Sequence, residues 1–154
     1  RSSPTQIGTE NTWKDISGIA ADTVVTIKTD GTLWSWGYNN YGALGFNQAW
    51  DQSYGPSSPM QVGTDTNWKY VNSNGPSHTT MAIKTDGTLW TWGGYLYGTL
   101  GLNQANDQRV SSPTQVGTDT TWDKIGGGAY GDGSMVASKT DGTLWVWGNN
   151  TAGF

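Results

Sequence analysis

Three carboxylates in this chain share one local setting: Asp30, Asp86 and Asp141 each follow a threonine and precede a glycine. A ring of carboxylates could hold a cation or move protons. An Asp-Gly pair between strands is first of all a hairpin turn, because Gly accepts positive φ and a turn Asp bonds its own backbone. His78 is the sole histidine. One imidazole makes neither a metal site nor a catalytic triad, and no Ser-Asp or Cys constellation recurs beside it, so it reads as structural. The glycine-rich run Gly126–Gly133 lacks the Gly-Lys-Ser/Thr ending of a phosphate loop and no helix follows it. It aligns with Ser17-Gly18 and Ser73-Asn74-Gly75 and reads as a turn. Asp51, Asp65, Asp107 and Asp119 do not have the spacing of a calcium loop. Asn149-Asn150-Thr151 fits a glycosylation acceptor, a triplet that chance often produces. There is no cysteine, which removes disulfides, thiolate chemistry and Cys-metal sites. No nucleophile, base or metal ligand recurs, so the expectation is a non-enzyme with no cofactor and no metal.

The elements that would position these residues are repeated. Lys28-Thr29-Asp30-Gly31-Thr32-Leu33-Trp34-Ser35-Trp36-Gly37 returns from Lys84 to Gly93 and from Lys139 to Gly148, varying only at Ser35, Thr91 and Val146. Ser3-Pro4-Thr5-Gln6-Ile7-Gly8-Thr9 returns from Ser58 to Thr64 and from Ser112 to Thr118. A lone tryptophan follows each time: Trp13, Trp68 and Trp122. Repeats of this length point to one supersecondary unit used three times.

Each unit reads as strands. Pro4–Ile7 is a short extended piece with Pro at its start, where no ladder donor is needed. Trp13–Ile16 alternates apolar and polar residues. Thr23–Lys28 is rich in β-branched residues, and Thr32–Trp36 follows it across the Thr-Asp-Gly turn. No ten-residue segment shows helical periodicity. Trp34 and Trp36 share one face of their strand and Leu33 the other, so both faces are apolar. That suits a sheet sandwiched between two others. Trp34, Trp36, Trp90, Trp92, Trp145 and Trp147 are therefore placed in packing between sheets, each ring burying about 150–250 Å².

With 154 residues the chain can build a real core, and its 10 Trp and 7 Tyr argue against disorder despite a mean hydropathy of −0.56. The net charge of −4 and the absence of a basic cluster set nucleic acid aside as a partner. No apolar run approaches the roughly 20 residues of a membrane span, so no membrane partner is expected. No targeting segment and no initiating Met are visible.

The residues Ala82-Ile83-Lys84-Thr85-Asp86-Gly87-Thr88-Leu89-Trp90-Thr91-Trp92-Gly93, followed by Tyr97-Gly98-Thr99-Leu100-Gly101, resemble the RCC1 (regulator of chromosome condensation) repeat family. His78-Thr79 matches that family's frequent Gly-x-x-His-Thr, although Asp22 and Gly133 stand at the histidine position in the other repeats. The wording of the repeats is most similar to bacterial and bacteriophage members. The resemblance implies an all-β fold, a β-propeller of four-stranded blades. Residues 1–154 form one propeller segment, with repeats at approximately 1–45, 46–101 and 102–154. Propellers close with about four to eight blades. Three blades therefore imply continuation in a longer chain or a homo-oligomer, the first being the simpler.

The expected function is that of a non-catalytic structural or binding protein on an extracellular or virion surface, acting through protein partners or self-association. Two alternatives follow from the resemblance: a guanine-nucleotide exchange regulator of a small GTPase, and a propeller that inhibits an enzyme. The candidate partner contacts are Trp50, Tyr54, Tyr95, Tyr97 and Arg109, the aromatic and cationic residues of the two long linkers.

Overall fold

The computed structural model describes residues 2–17, 22–48, 54–74, 77–94, 98–104, 109–127 and 133–149. Eleven strands form three antiparallel sheets among these residues. Sheet I has the order β1 (Trp13–Ile16), β2 (Thr23–Lys28), β3 (Leu33–Gly37), β4 (Met60–Gln61). Sheet II repeats it with β5 (Trp68–Asn74), β6 (Thr79–Lys84), β7 (Leu89–Gly93) and β8 (Val110–Gln115). Sheet III has three strands, β9 (Trp122–Gly127), β10 (Ser134–Lys139) and β11 (Leu144–Gly148). One short 3-10 turn lies at Asn40–Gly42.

The Thr-Asp-Gly segments are the β2–β3, β6–β7 and β10–β11 hairpins. In the first, the Gly31 N–H bonds the Lys28 carbonyl (2.9 Å), and the other two close the same way. Gly31 has φ +79, and a Cβ there would stand 2.1 Å from the Thr66 carbonyl oxygen of the next sheet's lead-in. Glycine thus serves both the turn and the close approach of the next blade.

The expectation for Pro4–Ile7 needs correction. Its counterparts are strands, β4 and β8, but residues 4–7 lie outside any strand. The reason is non-local. Each Ser-Pro-x-Gln segment pairs with the third strand of the preceding sheet: Gln61 opposes Trp34 and Gln115 opposes Trp90. The first copy has no preceding sheet within these residues. Each completed sheet also draws its fourth strand from the far side of the repeat cuts at 45 and 101, so the linker staples blade to blade.

The core lies between sheets. Val25, Ile27, Leu33 and Val62 of sheet I and its linker meet Trp68, Val71, Ala82 and Trp92 of sheet II. Ile83 and Leu89 meet Trp122 and Ala137 in the next junction, with Val116, Ile125 and Trp147 packed alongside. In the middle blade every β6 residue is buried, as two-faced packing requires. The Trp placement holds for Trp92, which is fully buried, whereas Trp145 is 48% exposed because sheet III lacks, among the described residues, the outer strand that lies beside Trp34 and Trp90.

Polar groups clasp the same junctions. The Trp92 indole N–H donates to the Ala43 carbonyl and the Trp147 indole to the Thr99 carbonyl, both at 2.9 Å. The Ser35 and Thr91 hydroxyls donate to the Leu44 and Leu100 carbonyls. The repeated Gly-x-Leu-Gly segment is therefore part of the junction: the carbonyl before its Leu accepts the next blade's tryptophan, and the Leu carbonyl accepts a hydroxyl of its own blade.

Candidate functional site

The blades have two ends. The turn end carries the Asp-Gly hairpins. Asp30 Oδ1 accepts both the Thr32 N–H (3.0 Å) and the Thr32 hydroxyl (2.6 Å). Asp86 and Asp141 do the same with Thr88 and Thr143. These bonds, led by the threonine hydroxyl, hold all three carboxyls below the usual aspartate range. The threonine oxygens in turn accept the indole N–H of Trp34, Trp90 and Trp145. Each carboxylate is thus used inside its own turn, in a separate blade.

Beside each turn sits a cluster that the sequence reading missed. Lys28 Nζ lies 3.7 Å from the Trp34 ring centroid and 4.8 Å from that of Trp13, and it pairs with Glu10 at 2.6 Å. Lys84 repeats this over Trp90 and Trp68 with Asp65, and Lys139 over Trp145 and Trp122 with Asp119. The Lys139 ammonium is the first cause, and Thr121 the next, of an Asp119 carboxyl lowered to about 2. The signal was present: an acidic residue stands seven places after each repeated serine (Ser3, Ser58, Ser112). These clusters are the same in every blade, which marks them as scaffold.

The loop end differs from blade to blade. Gly37 and Gly93 end β3 and β7 there, and both turn sharply at positive φ. Tyr38 pairs through an isolated bridge with Tyr54, their rings 5.9 Å apart and edge-on. Tyr54 is 87% exposed. At the same end Tyr41, itself at φ 58, is flanked by two groups of different chemistry. The His78 imidazole lies 5.0 Å from it, and the Arg109 guanidinium carbon is 4.7 Å above it. Tyr41 comes from the first linker, His78 from the turn just before β6 and Arg109 from the second linker, so the group exists only once two blades are packed. Burial lowers the His78 pKa below its ordinary value, and its Nδ1 is buried without a hydrogen-bond partner.

Of the candidate contacts, Tyr54 and Arg109 are both at this end, one on Tyr38 and the other on Tyr41. Trp50, Tyr95 and Tyr97 lie outside the described residues. Tyr38, Tyr41 and His78 were missed as members. Tyr41 was hidden in the repeated Tyr-Gly-x-Leu-Gly motif, and His78 was set aside because it stood alone in the sequence. Among the described residues no three His, Asp or Glu side chains are grouped to hold a metal ion, and no helix is long and apolar enough to cross a membrane. Chemically, the loop end offers flat aromatic faces, one stacked guanidinium and a half-buried imidazole, groups suited to contact.

Successive antiparallel sheets stacked face to face, the first two each completed by a strand from the next linker, make this a β-propeller segment. Its similarity to solved structures agrees. Human WBSCR16 superposes with a TM-score of 0.70 at 22% identity, over 86% of this chain and 33% of that one. Prp20p from Saccharomyces cerevisiae gives 0.60 at 18% identity, over 88% and 32%. Residues 30–82 match the regulator of chromosome condensation (RCC1) repeat, and the Xenopus laevis regulator of chromosome condensation is 27% identical over 81% of this chain and 28% of its own length. Residues 30–82 thus carry an RCC1 repeat, and the chain is similar to RCC1-repeat proteins over most of its length. It spans about a third or less of the length of each of these relatives.

Proposed function

We propose that this chain is a non-catalytic protein-binding module of an RCC1-type propeller, that its loop end is the contact surface, and that it works on an extracellular or virion surface. One observation carries the reading. The repeated Asp, Thr, Lys and Trp side chains are spent on turns and junctions, whereas two linker residues that do not repeat, Tyr54 and Arg109, lie at one end, where Tyr54 stands exposed and Arg109 stacks on Tyr41. Tyr and Arg are favoured where binding energy concentrates. The Prp20p structure is described with that protein's binding to Gsp1p and histones, and protein binding by a relative supports a protein partner here. The low content of charged residues, 13%, and the single glutamate fit an exposed repeat protein.

The test is cross-linking of the tagged chain in native extracts and in purified particle or secreted fractions, followed by affinity measurement with each purified partner. Tyr54→Ala and Arg109→Ala should each weaken binding at least about tenfold, a loss of ~1.4 kcal/mol. Thr9→Ala, at the turn end, should leave it unchanged. Equal affinity for all three variants would sink the loop-end reading. Recovery of the chain only from the cell interior would sink the location.

A second reading, nucleotide exchange on a small GTPase, is favoured by the similarity to the regulator of chromosome condensation. It predicts that catalytic amounts of the chain speed release of labelled guanine nucleotide from the GTPase.

A further inference from the structure

We propose that a cleft on the outer rim of the junction between sheets I and II binds a neutral saccharide of one or two rings. The cleft has a volume of about 510 Å³ and is built from residues 45–113, well inside the chain. That volume is within the roughly 300–1,000 Å³ of small-molecule sites. One wall is the first linker, with Phe46, Asn47 and Gln48. The other is β4 and the residues after it, with Gln61 and Asp65, and Trp90 of β7 completes the lining.

Both walls are fixed without a ligand. The Asn47 N–H donates to the Ser111 carbonyl at 2.7 Å, and the Val62 N–H ties the opposite wall to the Leu33 carbonyl at 2.8 Å. Asn47 sits at φ 55, a left-handed conformation in which Asn is enriched. Phe46 and Trp90 are partly buried against the junction core, so each ring leaves part of its surface at the cleft. A preformed site loses little to ordering on binding. Two side chains of this site have no role in the fold. Asn-Gln at 47–48 returns at 103–104, with Asn103 again left-handed at φ 52. Asp30, Thr32 and Lys28 also repeat, and each is held by a bond inside the fold. The Asn47 and Gln48 side chains are exposed and make no hydrogen bond among the described residues.

The charges select a neutral ligand. Asp65 is the one charged side chain among the described lining residues, and its Oδ2 pairs with Lys84 Nζ at 2.6 Å. An anion would face that carboxylate. A cation would face Lys84, which already lies 3.9 Å over the Trp90 ring. Gln61 spends one N–H on the Gly63 carbonyl, at 3.2 Å, and keeps its amide oxygen. The fitting molecule has hydroxyls for three amides and a carboxylate, and a C–H face for an indole and a phenyl ring. A pyranose has both. An added peptide strand is a poorer match, because β4 is two residues long and offers too short an edge.

The test is binding of the full chain to an immobilised panel of neutral and acidic glycans, followed by titration of the binders in solution. The readout is the Trp90 indole N–H resonance, assigned through Trp90→Phe. A neutral mono- or disaccharide should shift it saturably in the millimolar range or below, while the Trp147 indole, bonded to the Thr99 carbonyl, stays in place. Gln48→Ala should weaken binding about tenfold, and so should Asn47→Gly, which removes the amide but keeps the left-handed turn. Both positions are exposed, so unchanged circular dichroism is expected. Lys14→Ala, on β1, should leave the affinity unchanged. Binding of no neutral glycan would overturn the proposal, as would a preference for acidic glycans or an affinity indifferent to both cleft variants. A Trp90 shift with tetraglycine and with no glycan would overturn it too. The loop-end surface involves other residues, so either site can fail without the other.

Discussion

Trp92→Ala is the sharpest probe of how the blades are held together. Trp92 is fully buried in the junction of sheets I and II, with its ring 6.2 Å from that of Trp68 and its indole N–H on the Ala43 carbonyl. Truncating a buried tryptophan costs about 3–5 kcal/mol, the transfer of the ring plus the cavity left behind. The lost hydrogen bond adds at the lower end of its usual range of roughly 0.5–1.5 kcal/mol, because the Thr80 hydroxyl also reaches the Ala43 carbonyl, at 3.3 Å, and keeps it partnered. A loss of about 4 kcal/mol is expected, which for a domain of this size lowers the melting temperature by roughly 8–16 °C. Trp92→Phe keeps most of the ring area and should lose only about 1–2 kcal/mol. Urea titration followed by far-ultraviolet circular dichroism reads both variants. If Trp92→Ala cost under ~1 kcal/mol, the junction could not be the main core and the stacked-blade account would fail.

Two further outcomes follow from the turns and from the titrating groups. Gly93→Ala should destabilise by more than about 2 kcal/mol, since Gly93 has φ +94 and a Cβ would stand 2.2 Å from the His78 carbonyl oxygen. Gly98→Ala, with φ +73 but nothing within 4 Å, should cost only about 1 kcal/mol; equal midpoints for the two in urea would refute the close-approach reasoning. Acid should weaken the fold in two windows. His78 is held below its usual 6.5, so its contribution is full above that pH and is lost as pH falls through the lowered value. Asp119 is held at about 2, so its contribution is full above 3.8 and is lost as pH falls through about 2. Proton NMR of the single histidine checks the first, where a value above 6.5 would contradict desolvation. Melting of Asp119→Asn checks the second by a shallower loss of stability between pH 4 and 2, on the order of those two limits.

The hairpins were legible because they are local. Thr-Asp-Gly between β-branched and tryptophan-rich runs fixes the turn within a few residues, and Thr23–Lys28 and Trp13–Ile16 are strands with the bounds read from their residues. The two-faced third strand was legible too, since alternation alone sets Leu33 against Trp34 and Trp36. The Lys-Trp-acid clusters were not, because Lys28, Trp13 and Glu10 are brought together by strand pairing and a lead-in loop. The loop-end group was still less so: Tyr41, His78 and Arg109 come from three segments, and only their packing makes them neighbours.

The sequence by itself determined the repeating unit, its turns and which faces of its strands are apolar, all consequences of φ, ψ preference and a period of two. Only the tertiary structure decided what each unit pairs with. Ser3–Thr9, Ser58–Thr64 and Ser112–Thr118 are nearly one sequence, yet two of them supply outer strands and the first lies outside any sheet. Leu33, Leu89 and Leu144 occupy one position in the repeat, yet the first two are sealed and the third is open. A ladder and a buried face each need a neighbour, and the neighbour belongs to another blade.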